Sequence, residues 1–164
     1  MIFKNLGNNY LRSLLIIFLI FLADRLSKIY VIYLNKINND SEIFLSKFLN
    51  IRLYWNEGIA FGLLSFDKEY LYNSLTIIIF LVILVIYLMA IKNKGMKKYF
   101  FLMILGGAIG NFYDRVIYKA VPDFIDFHVG NYHWFIFNIA DIFITLGVIF
   151  MIFSEFFSTT NNNA

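Results

Sequence analysis

Cysteine is absent from the 164 residues. That removes disulfides, thiolate metal sites and cysteine nucleophiles, and leaves the redox compartment open. Proline occurs once, at Pro122, so no proline-rich linker divides the chain. Charge is scarce too: 15% of residues are Asp, Glu, Lys or Arg, against 60% hydrophobic and 20% aromatic. A soluble domain of this length could not hide so much apolar surface, and an integral membrane protein follows. The net charge of +3 would suit a nucleic acid if the basic residues formed one face. They lie instead in short segments between apolar runs, a pattern that sets membrane orientation and argues against a nucleic-acid partner.

The runs predict one α-helical membrane domain with four transmembrane helices, over about 12–34, 71–91, 99–117 and 134–157. The clearest, "LYNSLTIIIFLVILVIYLMAI" from Leu71 to Ile91, carries no charge and has the roughly 20 residues that a bilayer needs. The first is apolar from Ser13 to Ala23, then carries Asp24, Arg25 and Lys28, then turns apolar again. "KNKGMKK", Lys92 to Lys98, holds four lysines in seven positions and is expected inside, together with Lys4, Arg12 and both termini. Segments 35–70 and 119–133 then face outward. The first of these, with "IFLSKFLNIRLYWNEGIAFGLL" and a turn signal at Glu57-Gly58, predicts a small β platform between helices 1 and 2. Tyr54, Trp55 and Trp134 suit the headgroup layer.

Ionisable groups inside such spans are costly, about 2.5–3.5 kcal/mol at a helix centre on insertion scales, and are functional candidates for that reason. Asp24 and Lys28 share a helix face at i, i+4 and can pair. Twelve residues beyond Arg12, Asp24 stands about 18 Å up, in the outer half. Asn111, Asp114 and Arg115 repeat the i, i+3, i+4 spacing at the outer end of the third span. In the fourth, Asp141 is the only charge between Trp134 and Ser154, with Asn138 three residues earlier on the same face. A span beginning at Trp134 puts Asp141 about 10 Å below the outer edge, as an unpaired mid-span carboxylate.

Asp24–Lys28 also reads as an ion pair fastening helices, and Asp114–Arg115 as the end of a span. "GGAIG", Gly106 to Gly110, reads as a close-packing seam. His128 and His133 are two outer-loop imidazoles with few ligands nearby, and no metal site is expected there. Asp123, eighteen residues before Asp141, lies on a loop able to fold back until the two carboxylates face each other. Such a pair cannot easily ionise twice in a low dielectric; one acid and one base result, as in aspartic proteases. From spacing alone, a transporter or proton channel would also hold Asp24, Lys28 and Asp141 in a membrane. An assembly factor that holds a partner on the platform is a third possibility.

"DRLSK", "NEGIAFG", "GNFYDRV", "VPDF" and "FNIAD" occur in this order across nearly the whole chain. Together they resemble lipoprotein signal peptidase, also called signal peptidase II, the bacterial membrane aspartyl protease that removes signal peptides from prolipoproteins. The resemblance implies Asp123 and Asp141 as the catalytic pair. It implies Asp24, Lys28, Asn56, Gly58, Asn111, Asp114, Arg115, Asn138 and Ala140 as supporting or substrate-binding residues. It further implies no metal and no cofactor, and a monomer in the bacterial cytoplasmic membrane with its active site facing outward. Its partners are then membrane lipids and diacylglyceryl-modified prolipoproteins as substrates. Three positions depart from the family pattern: Arg25 stands where Gln is common, Pro122 precedes the first aspartate, and Ile142 replaces a usual Ser.

Overall fold

The computed structural model describes residues 2–38, 43–44, 46–58, 68–130 and 132–161. Among them are four helices, α1 (Ile2–Ile37), α2 (Lys68–Lys92), α3 (Gly95–Tyr118) and α4 (Ile139–Asn161), with one pair of strands between α1 and α2 and a second pair between α3 and α4. The strands are β1 (Ile43–Phe44), β2 (Leu49–Asn56), β3 (Val121–Val129) and β4 (Tyr132–Phe137), paired antiparallel in the order β1-β2-β3-β4. The stretch 59–67, which contains all of "IAFGLL", lies outside the described residues.

Among the described residues three helices are long and apolar enough to cross a membrane: Glu69–Lys92, Gly95–Tyr118 and Ile139–Phe157. Helix α1 has 36 residues, yet its Asp24, Arg25 and Lys28 interrupt the apolar window. Helix α3 is the hub and packs on α1, α2 and α4. Its hydrophobic window is 50% buried, against 6% for α2, which presents Ile77, Phe80 and Leu81 outward. The glycines explain the close approach. A Cβ at Gly106 would stand 2.9 Å from the Ile20 side chain of α1, and one at Gly107 would stand 2.5 Å from the Ala140 carbonyl oxygen of α4. "GGAIG" is thus the seam on which both neighbours pack.

Two expectations need correction. The platform does not come only from the segment between helices 1 and 2: β3 and β4, from between α3 and α4, supply its other half. The run from Trp134 is also not helical at its start, because Tyr132–Phe137 is strand and α4 begins at Ile139. "YHWFIF" is aromatic and β-branched, and an apolar run of that length does not by itself distinguish strand from helix. Pro122 is tolerated in β3 because β4 pairs only with Ile125–Val129, so residue 122 has a ladder partner on one side alone, Trp55 of β2.

Candidate active site

The sheet caps one end of the bundle, packing β2 and β3 on α1 and β3 on α3. Buried polar side chains from α1, α3, β3 and the start of α4 collect there: Asp24, Lys28, Asn111, Asp114, Asp123 and Asn138 are each 9% exposed or less. They form two clusters of different character.

The first is an ion cluster between α1 and α3. Lys28 Nζ contacts Asp24 at 2.9 Å and donates to Asp114 Oδ2 at 2.7 Å. The Arg25 guanidinium bonds the same two acids, with Nη2 at 3.0 Å from Asp24 Oδ2 and at 2.6 Å from Asp114 Oδ2. Its Cζ also lies 4.9 Å from the centre of the Tyr113 ring. Two carboxylates thus face two cations, and each buried charge is compensated. Gly110 makes room: a Cβ there would meet Asp24 Oδ2 at 2.6 Å. Asp24 Oδ1 also accepts the backbone N–H of Ala140 at 3.1 Å, which ties α1 to the first turn of α4.

The second cluster surrounds Asp123 and Asp141, and its direct donors are amides. Asp123 accepts from Asn138 Nδ2 at 2.6 Å and from Asn56 Nδ2 at 2.9 Å. Asn56 is itself held by the Gly58 N–H, 2.8 Å from its Oδ1, in a turn where Gly58 has φ +79°, a conformation that favours glycine. Asp141 accepts from Asn111 Nδ2 at 2.8 Å and from the Asn138 backbone N–H at 3.1 Å. In return Asn138 Oδ1 accepts the Asp141 backbone N–H at 3.1 Å. This reciprocal Asn-x-x-Asp arrangement is a capping box, and it is the local reason why "FNIAD" ends a strand and starts a helix. Asp141 is therefore not an unpaired mid-span carboxylate. It sits in the first turn of α4, where the helix dipole favours negative charge.

One residue, Asn138, hydrogen-bonds both aspartates, so the eighteen-residue separation in sequence closes to neighbouring side chains. Burial pushes the Asp123 carboxyl up to about 6, with the Asp141 charge adding to the rise and the Asn56 and Asn138 amides opposing it. Beside Asp141 opens a cavity of about 360 Å³ lined by Phe135, Phe137, Ile142, Thr145 and Leu146. The departure at Ile142 makes that wall more apolar.

Asn56, Asn111 and Asn138 contact the aspartates directly, while Asp24, Lys28, Asp114 and Ala140 stand one layer behind. Arg115 stays apart from the pair: its Nη1 donates to the Asn111 carbonyl at 3.2 Å, and its guanidinium flanks Gly58. The residue that sequence reasoning passed over is Arg25, taken only as a departure from Gln. Charge balance was the available signal, since Asp24 and Asp114 need two cations and Lys28 supplies one.

The model of the signal peptidase (SPase) II family matches residues 16–157. The chain belongs to that family. The lipoprotein signal peptidase of Pelagibacter ubique (strain HTCC1062) is 52% identical over 153 residues, covering 93% of this chain and 92% of its own length. That of Anaplasma phagocytophilum (strain HZ) is 36% identical, covering 93% and 96%. A solved bacterial membrane enzyme (in meso method, 2.3 Å resolution) superposes with a TM-score of 0.69 at 32% identity, covering 92% of this chain and 90% of its own. Signal peptidase II enzymes are aspartic proteases of bacterial membranes that act on prolipoproteins, and this chain is one of them.

Proposed function

We propose that the chain cleaves the signal peptide from diacylglyceryl-modified prolipoproteins at the outer face of the cytoplasmic membrane, with Asp123 and Asp141 activating water. In this reading α1 is a fourth span, both termini are cytoplasmic beside the lysine-rich α2–α3 turn, and the sheet rests on the outer surface. The observation that carries it is the shared Asn138: a buried and a half-buried carboxylate from separate segments, linked through one amide residue, with no cation bonded to either among the described residues.

The raised Asp123 carboxyl suits the general acid, and Asp141, held in the helix cap, suits the base. Asp141 takes a proton from water as the water oxygen attacks the scissile carbonyl, and Asp123 donates its proton to the developing oxyanion. Asp141 then passes its proton to the leaving amine as the C–N bond breaks, and the collapsing hydroxyl returns a proton to Asp123. Asn56, Asn111 and Asn138 hold the carboxylates in place. The apolar cavity beside Asp141 receives apolar substrate groups at the membrane boundary. No step uses a metal, so hydrolysis persists in a strong chelator.

The test is purified protein incubated with a diacylglyceryl-modified prolipoprotein and with its unmodified form, scored for signal-peptide release. Release from the modified form alone, absent in Asp123→Asn and Asp141→Asn, is expected. Full activity in either variant overturns the pair.

A further inference from the structure

The hairpin that carries Asp123 holds a second polar cluster, which hydrolysis does not use. Asp126 and His128 alternate on one face of β3, and His133 of β4 stands opposite His128 in the register. Asp126 is fully buried and His128 is 7% exposed, whereas the His133 side chain reaches the surface at 42%. His133 Nδ1 lies 2.7 Å from Asp126 Oδ2, and the two imidazoles stack with centroids 5.4 Å apart. Two buried atoms in the cluster, Asp126 Oδ1 and His128 Nδ1, have no hydrogen-bond partner among the described residues. A buried acceptor and a buried ring nitrogen left unmatched in one cluster are unusual and point to a missing partner.

We propose that Asp126, His128 and His133 form a site for one divalent cation of the zinc type. One donor atom from each residue lies within 4.8 Å of the others. Donors about 2.0–2.2 Å from a tetrahedral zinc stand roughly 3.3–3.6 Å apart, so the set needs to draw in by about an ångström. His133, exposed on the hairpin, is free to make that movement. Two imidazoles and one carboxylate without thiolate suit zinc, with the fourth position left to water, and suit the hard cations calcium and magnesium poorly.

The site has a consequence for the fold. It would clamp β3 to β4, and β3 carries Asp123 while β4 runs directly into Asn138 and Asp141. A bound cation would brace the two segments that hold the acids together, without entering the hydrolysis. The inference does not depend on the peptidase reading, because it concerns binding and stability alone.

The full chain in detergent, stripped with a chelator and desalted, is titrated with zinc sulfate; bound zinc per chain and the unfolding temperature are read together. About one zinc per chain and an upward shift of several degrees are expected. His128→Gln and His133→Gln should each weaken binding at least tenfold and abolish the shift, while matching the metal-free parent in unfolding temperature. The Asp123→Asn/Asp141→Asn double variant should keep the zinc, which separates this site from the acid pair. Equal zinc and an equal shift in the parent and in the His128→Gln/His133→Gln double variant would overturn the proposal. So would zinc lost with the acid pair instead, or no zinc bound by the parent at micromolar concentrations; the cluster is then an Asp126–His133 hydrogen bond alone.

Discussion

The two acidic clusters at the sheet end adjoin one another and are chemically opposite. In the first, Asp24 and Asp114 bond directly to Lys28 and Arg25. In the second, Asp123 and Asp141 receive, among the described residues, only amide donors, from Asn56, Asn111 and Asn138. A carboxylate bonded to cations at 2.6–3.0 Å has its charge compensated by those partners and serves as a strut. One solvated by neutral amides keeps access to its proton. The chain thus separates fastening from chemistry by choosing the partner, not the acid. The carboxylate in the most conspicuous motif, Asp114 of "GNFYDR", belongs to the fastening side.

The contrast breaks most visibly by exchanging carboxylate for amide. Asp123→Asn or Asp141→Asn should lower the rate of prolipoprotein cleavage by about 10⁴-fold, the scale seen when a member of a cooperating catalytic set is removed, with the unfolding temperature unchanged or raised. In the ion cluster the effect should invert. Lys28→Met leaves two buried carboxylates facing Arg25 alone and should cost about 3–5 kcal/mol of stability, read as a large fall in unfolding temperature. A stable Lys28→Met variant would mean that the ion cluster is not a strut.

The next effect belongs to the acid pair alone. Asp123 is 3% exposed and its carboxyl is raised from 3.8 to about 6. The folded state therefore binds the proton more tightly than the unfolded chain does. Its stabilising contribution is complete below about 3.8 and is lost as pH rises through about 6. Roughly two units correspond to about 3 kcal/mol. Asp123→Asn, which has no proton to lose, should match the parent near pH 4 and exceed it by several degrees above pH 6. Thermal unfolding of both proteins from pH 4 to 8 checks this; parallel curves would place Asp123 in a polar, well-solvated site. The same proton makes kcat/KM inflect near pH 6, falling on the alkaline side as the general acid is lost.

Much of this was legible in the sequence because membrane burial makes every charge conspicuous. Asp24, Lys28, Asp114 and Asp141 stand out against apolar neighbours, and the i, i+4 spacing alone couples Asp24 to Lys28. Glycine spacing showed the α3 seam. What stayed hidden depended on chain reversal. "YHWFIF" is apolar enough to be read as the start of a span, and only the cap at Asn138 shows that the helix begins later. That error moved Asp141 from a helix terminus to mid-span. The half of the platform built from β3 and β4 was hidden for the same reason, since strand pairing between segments some seventy residues apart leaves no local periodicity. Asp126, between Ile125 and Phe127, gave no sign that it faces the two histidines.

The smallest effect sharpens the contrast where the two clusters touch. Asn111 Oδ1 accepts from Lys28 Nζ at 2.9 Å and from Asn138 Nδ2 at 3.1 Å, while Asn111 Nδ2 donates to Asp141 at 2.8 Å. The lysine thereby fixes which way the amide points, because an ammonium can only donate and its neighbour must present oxygen. The other end of the same amide must then offer N–H to the carboxylate. Asn111→Ala removes this link and leaves Lys28 its two carboxylate partners, so the strut should survive with only a modest loss of unfolding temperature. Asp141, keeping the Asn138 cap alone, should lose orientation. The expected result is a kcat lower by about 10–100-fold, or about 1.4–2.7 kcal/mol, with KM little changed. An unchanged kcat would show that the ion cluster and the acid pair share a boundary without sharing a function.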